Sequence, residues 1–200
     1  MRKVLFLLLI VSFIASAVTA QQKKTRSVAR LGIKTGMNAS HFHLSGLEAS
    51  SIAADWKTGF VFGSFVEMKI SDKLYFQPEL LYSSMGGKNN SSLNGLSNLR
   101  LNYLSLPASL KFEFAPNFKL SGGLQLSWII QAKNFSNNSE ADVTTSIRNS
   151  DIALQGGIEY WPSKKVVIGA RYLHGVSDIT YYNGTKAFNQ GFQFTAGVKL

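Results

Sequence analysis

Between Gly59 and Lys69 the chain alternates two kinds of side chain. Gly59, Gly63, Glu67 and Lys69 hold odd positions, whereas Phe60, Phe62, Val66 and Met68 hold even ones. A period of two places these sets on opposite faces of a β-strand. The alternation recurs at even positions with Leu74, Phe76, Leu80 and Tyr82, then Leu104, Leu106, Leu110 and Phe112, then Leu120, Leu124, Leu126, Trp128 and Ile130. It continues through Ile152, Leu154, Ile158, Tyr160, Val166, Ile168 and Tyr172 to Phe192, Phe194, Val198 and Leu200. In the first run the parity is reversed, with Leu31, Ile33 and Met37 apolar and Lys34 opposite.

Turn signals divide the pattern into eight strands, at about 28–40, 57–70, 74–85, 99–114, 118–133, 150–161, 165–177 and 188–200. Their connections alternate in length. Residues 41–56, 86–98, 134–149 and 178–187 are long, whereas 71–73, 115–117 and 162–164 are short. Long external loops and short periplasmic turns are the pattern of an outer-membrane barrel with an even strand number.

Glycine decides which face is inside. Ten glycines, among them Gly32, Gly36, Gly63, Gly123, Gly157 and Gly197, share the face that carries the charges, and only Gly122 and Gly156 fall on the apolar face. The interior of an eight-stranded barrel is just wide enough for side chains. The crowded, polar face therefore points inward and the bulky apolar face meets lipid. A water-soluble carrier barrel would have the reverse arrangement. The predicted fold is an all-β, eight-stranded, antiparallel up-and-down transmembrane β-barrel. Aromatic girdles are expected from Phe76, Phe114, Phe118, Tyr160 and Trp161 near the short turns, and from Tyr82, Tyr103, Trp128 and Phe192 toward the long loops.

The first twenty residues stand apart. Arg2 and Lys3 precede a short apolar stretch that ends in Val18-Thr19-Ala20, the pattern of a cleaved signal peptide. The expected organisation is 1–20 signal peptide, 21–27 a short periplasmic segment, and 28–200 the barrel. No later segment approaches about 18 consecutive apolar residues, so any membrane crossing is by strands. The chain has no cysteine, which removes thiol catalysis and Cys-based metal sites. The net charge is +10, and losing Arg2 and Lys3 leaves +8. Only Lys23, Lys24, Arg26 and Arg30 cluster, which is not the dense stripe of a nucleic-acid surface.

Several stretches resemble the PorT-like outer-membrane β-barrel family. They are Leu31-Gly32-Ile33-Lys34-Thr35-Gly36-Met37-Asn38, Ser71-Asp72-Lys73 with Gln77-Pro78-Glu79-Leu80-Leu81-Tyr82-Ser83, Tyr103-Leu104-Ser105-Leu106-Pro107 with Leu110-Lys111, and Ala170-Arg171-Tyr172 before Gly175. The resemblance implies an eight-stranded barrel in a Gram-negative outer membrane. It implies no single function, and one branch of the family is linked to protein secretion.

The expected polar network of the lumen comprises Lys34, Glu67, Lys69, Glu79, Lys111, Glu113, Glu159 and Arg171; Lys119, Lys133, Asp151 and Lys199 share their face. Glu79 and Arg171 lie near mid-height on the third and seventh strands, which are opposite in an eight-membered ring. Buried charges need partners. The set reads either as a salt-bridged plug or as a narrow ion path.

His41 and His43 in the first long loop read as solvated side chains. His174, Ser177 and Asp178 are too close in sequence to form a catalytic trio readily. The Asn- and Ser-rich loops identify no ligand. No catalytic, cofactor or metal residue is assigned. The readings carried forward are a non-enzymatic structural, surface-binding or secretion-associated barrel, a narrow porin-like channel, and an outer-membrane lipid-modifying enzyme or protease. Expected partners are outer-membrane lipids and lipopolysaccharide, the barrel-insertion machinery, and surface or secretion proteins. The barrel is expected to be a monomer.

Overall fold

The computed structural model describes residues 29–46, 54–89, 98–136, 139–144, 147–179 and 185–200. The expected signal peptide and periplasmic segment lie outside these residues. The strands are β1 (Ala29–Gly46), β2 (Ala54–Asp55), β3 (Lys57–Lys69), β4 (Leu74–Asn89), β5 (Asn98–Ala115), β6 (Phe118–Ser136), β7 (Ser139–Asp142), β8 (Ser150–Tyr160), β9 (Val166–Gly175) and β10 (Thr185–Lys199). Eight of them are staves of one antiparallel ring, in the order β1, β3, β4, β5, β6, β8, β9, β10. Pairing of β1 with β10, from Gly32 opposite Lys199 to Gly46 opposite Thr185, closes it. The short β2 and β7 extend the wall beside β4 and β6.

The staves run further toward the long loops than the side-chain pattern predicts. β1 reaches Gly46 and β6 reaches Ser136, because neighbouring strands keep pairing past the end of the apolar stripe. His41 and His43 consequently lie in a strand rather than in a loop. At the other end the connections are tight. The N–H groups of Ile70 and Ser71 both donate to the Leu74 carbonyl. Asn117 follows Pro116 with φ of 68°, a conformation asparagine accepts at low cost.

The two faces separate as expected. Phe60, Leu110, Leu124 and Phe194 are each more than half exposed on the outside, whereas Glu79 and Lys111 are 4 % and 1 % exposed inside. Two expectations need correction. Tyr103 and Trp161 occupy interior positions, 1 % and 5 % exposed, rather than lipid-facing girdles. The interior also holds bulky apolar groups, including Val61, Phe65, Leu81, Leu101 and Leu173, all buried. Glycine makes the room for them. A Cβ on Gly32 would lie 2.3 Å from the Phe65 ring, and one on Gly87 would lie 2.7 Å from that of Phe42.

A third correction concerns β6. The register between β5 and β6 slips at Asn102/Tyr103, with Asn102 opposite Gln131 but Tyr103 opposite Ile129. A bulge of this kind reverses the faces beyond it. Ala132 and Asn134 turn inward, and Lys133 leaves the lumen to pair with Glu140 of β7. Beyond the membrane, Thr144 donates its hydroxyl and N–H to Asp142, which holds that carboxyl below its usual range.

The lipid-facing assignment makes a graded prediction. Leu124→Arg, at mid-barrel, lowers folding stability in phospholipid vesicles by about 2–4 kcal/mol, whereas Ile70→Arg at the rim costs about 0–1 kcal/mol. Urea unfolding titrations measure both, and equal costs at the two heights contradict the assignment.

Candidate functional site

Inward-facing residues of the staves fill the lumen in layers. At mid-height Glu79 of β4 lies between two cations from other walls: Lys34 Nζ of β1 at 2.7 Å, and Arg171 Nη1 of β9 at 3.1 Å. Both carboxylate oxygens are thus engaged, and Gln77 Nε2 adds a third donor at 2.7 Å. Beside this group Lys111 of β5 donates to Glu159 of β8 at 2.5 Å and to Gln77 Oε1 at 2.6 Å. Arg171 Nε donates to Gln193 at 2.7 Å, whose amide reaches Asn38 at 2.7 Å. Three cations and two carboxylates from five staves therefore form one connected cluster, with only Arg171 Nη2 left without an acceptor. Charges taken out of water demand such mutual neutralisation, since removing one partner strands the rest at a cost of several kcal/mol.

A second charged layer lies toward the short turns. Glu67 accepts from Lys119 at 2.8 Å and Lys199 at 2.5 Å. Lys119 Nζ sits over the Tyr75 ring, 3.5 Å from its centroid, and Lys199 Nζ over the Trp161 ring at 3.8 Å. The Tyr75 hydroxyl donates to Glu113 at 2.9 Å. Lys69 stands apart from the network, half-exposed at the end of β3 and paired with Asp72 at 3.2 Å.

Toward the long loops the filling becomes mostly uncharged, with Lys57 and Asp151 as buried exceptions. Asn38 donates to the Ser83 hydroxyl at 2.9 Å and the Ser84 carbonyl at 3.0 Å, and Ser105 and Ser127 share a hydrogen bond at 2.9 Å. Beyond them Met85, Leu99, Leu101, Tyr103, Ala132 and Leu173 form an apolar cluster. Ile147 and Ile179 join it from the connections before β8 and after β9.

The family follows from comparison with known proteins. The family model described as "Outer membrane protein beta-barrel domain" matches residues 19–181. The chain belongs to that family. Its fold is similar to neisserial surface protein A, with 17 % identity, a TM-score of 0.56, and coverage of 85 % of this chain and 97 % of that one. It is also similar to Ail, the attachment invasion locus protein of Yersinia pestis, with 16 % identity, a TM-score of 0.50, and coverage of 86 % and 97 %. No curated protein matches. Family and fold together make this a protein of the bacterial outer membrane.

As in any outer-membrane barrel, the short turns then mark the periplasmic end, and the remaining sequence candidates can be placed against it. His174 lies exposed on the outer face of β9, its ring 6.3 Å from that of Tyr172. The Ser177 hydroxyl donates to Asp151 at 2.7 Å and accepts the Ile152 N–H, while Asp178 accepts the Ala187 N–H at 3.1 Å. These contacts bind the three residues to different partners. His41 packs on Trp56 at 4.4 Å between centroids. Among the described residues no group of three or more His, Asp or Glu is arranged to hold a metal. Parts of the Asn-rich loops, including residues 90–97 and 180–184, lie outside the described residues.

Sequence reasoning missed that Lys34 shares Glu79 with Arg171, and that Lys119 and Lys199 share Glu67. Parity put all of these inside; only the registers bring them to common heights. The network predicts that Glu79→Ala, which leaves Lys34 and Arg171 facing each other unneutralised, lowers folding stability by about 3–5 kcal/mol. Unfolding in vesicles measures this, and a variant as stable as the wild type contradicts the network.

Proposed function

We propose that this chain is a non-enzymatic outer-membrane barrel with a plugged lumen, acting as a structural or surface-binding element and not as a conduit. The PorT-like resemblance fits this reading and adds a secretion-associated role as the finer assignment. The observation that carries it is the space left in the mid-barrel cluster. The cavity among Lys34, Glu79, Lys111, Glu159 and Arg171 measures about 10 Å³, the room of one water molecule. A hydrated ion would have to break several ion pairs to pass.

The role then rests with the outer wall and the ends. Around the external rim a row of rings runs from His41 to Trp56, Phe192, Tyr172 and His174, with centroid spacings between 4.4 and 6.3 Å. Amphipathic rings suit the boundary between acyl chains and polar head groups, which makes lipopolysaccharide the expected outer-leaflet neighbour. A closed ring has no free stave edge to pair with another copy, consistent with a monomer. The outward Phe192, Phe194, Ala196 and Val198 of β10 supply an apolar terminal strand for insertion machinery.

Planar-bilayer recording of the refolded chain tests the proposal. The expected record shows no steady conductance steps in molar salt. Reproducible ohmic steps from the wild type would overturn the plug and favour the narrow channel.

A further inference from the structure

At the periplasmic end the lumen opens into a vestibule of about 440 Å³. Arg30, Lys69, Lys119, Lys164 and Lys199 line it, against the two carboxylates Glu67 and Glu113, and Asp72 at its edge pairs Lys69. Glu67 is divided between the buried Lys119 and Lys199, so that trio keeps one positive charge. Glu113 is engaged by the Tyr75 hydroxyl. The faces of Tyr75 and Trp161 stabilise the two ammonium groups through their quadrupoles but bring no counter-charge. Trp161 is itself 5 % exposed, and its indole N–H has no acceptor among the described residues. Lys73 and Lys165 on neighbouring turns extend the same sign of charge. The external end differs, for Asp55, Glu140, Asp142 and Asp151 are interspersed with its cations. The excess is therefore a property of the vestibule.

The mid-barrel cluster, with three cations on two carboxylates, also keeps one positive charge but leaves room for only one water molecule. The vestibule instead leaves its surplus positive charge around an open space with an aromatic floor. A surplus of partly desolvated cations attracts anions. We propose that the vestibule is a periplasm-facing binding site for a compact oxyanion, a carboxylate or phosphate group whose attached atoms lie against Trp161 and Tyr75. Lys119 and Lys199 form the inner contact, and Arg30 and Lys164 the outer one.

Trp161 makes the site readable. With Trp56→Phe and Trp128→Phe it is the sole remaining indole of the chain. The refolded barrel, in non-ionic detergent at fixed ionic strength, is titrated with sodium phosphate and, separately, with N-acetyl-alanyl-alanine and its C-terminal amide. Trp161 emission is expected to change saturably with at least one oxyanion and not with the amide. A response to phosphate alone assigns a phosphate source, and a response to the dipeptide alone a carboxylate source. Arg30→Gln and Lys164→Gln, both at exposed positions, are expected to weaken the midpoint about two- to fivefold each. Calorimetry on the wild-type chain gives the same reading without the tryptophan substitutions. The proposal is overturned by no saturable response to either oxyanion, by an equal response to the amide, or by midpoints that the rim variants leave unmoved.

Discussion

A peptide group in hydrocarbon has no water to bond, so each must find its partner within the protein. Eight strands meet that demand by closing into a ring, and the ring fixes the bore. Everything else in this chain answers to that bore. Side chains directed inward must fill a narrow cylinder and reconcile their charges there, while those directed outward must be apolar. The Lys34–Glu79–Arg171 group and the Lys111–Glu159 pair are one answer to the inward demand, drawing five staves together across the lumen. Gly32 beside Phe65 is another, with a missing Cβ on one strand admitting a ring from the next.

The filling is graded along the axis. An open basic mouth gives way to a close-packed, ion-paired layer, then largely to amides and hydroxyls, and finally to apolar side chains such as Leu101, Tyr103 and Leu173. Each layer has a different tolerance for change. Apolar layers lose packing when trimmed, ionic layers strand a buried charge when one member is removed, and the open mouth keeps more cations than its carboxylates pair. That gradient underlies the structural role proposed for the middle of the barrel and the capacity to bind proposed for its ends.

Much of this was legible in the sequence because a period of two needs no knowledge of pairing. Parity alone placed Glu79, Lys111, Glu159 and Arg171 inside and Leu124 and Phe194 outside. Counting strands around a ring set Glu79 opposite Arg171. Distance from the short turns gave the rough height of Glu79 and Arg171, but which side chains share a layer depends on the stagger between neighbouring strands; hence Lys34 beside Glu79, and Lys119 beside Lys199, emerged only from the registers. Lys133 was misplaced because the slip near Ile130 that turns it outward has no marker such as glycine or proline. Tyr103 and Trp161 were read as interfacial from residue type, although their odd numbers already put them on the inner face. The parity rule was sounder there than the preference of aromatics for interfaces.

The orientation of the two faces bears the whole account. Because the chain has no native cysteine, single cysteines at Leu126, Phe194, Glu159 and Lys111 can each carry a nitroxide in a bilayer-reconstituted barrel. Spin relaxation by oxygen, which concentrates in lipid, is compared at each site with relaxation by a water-soluble nickel chelate. The account predicts strong oxygen contact at Leu126 and Phe194, and little of it at Glu159 and Lys111. Oxygen contact concentrated at Glu159 and Lys111, with Leu126 and Phe194 shielded, would contradict it.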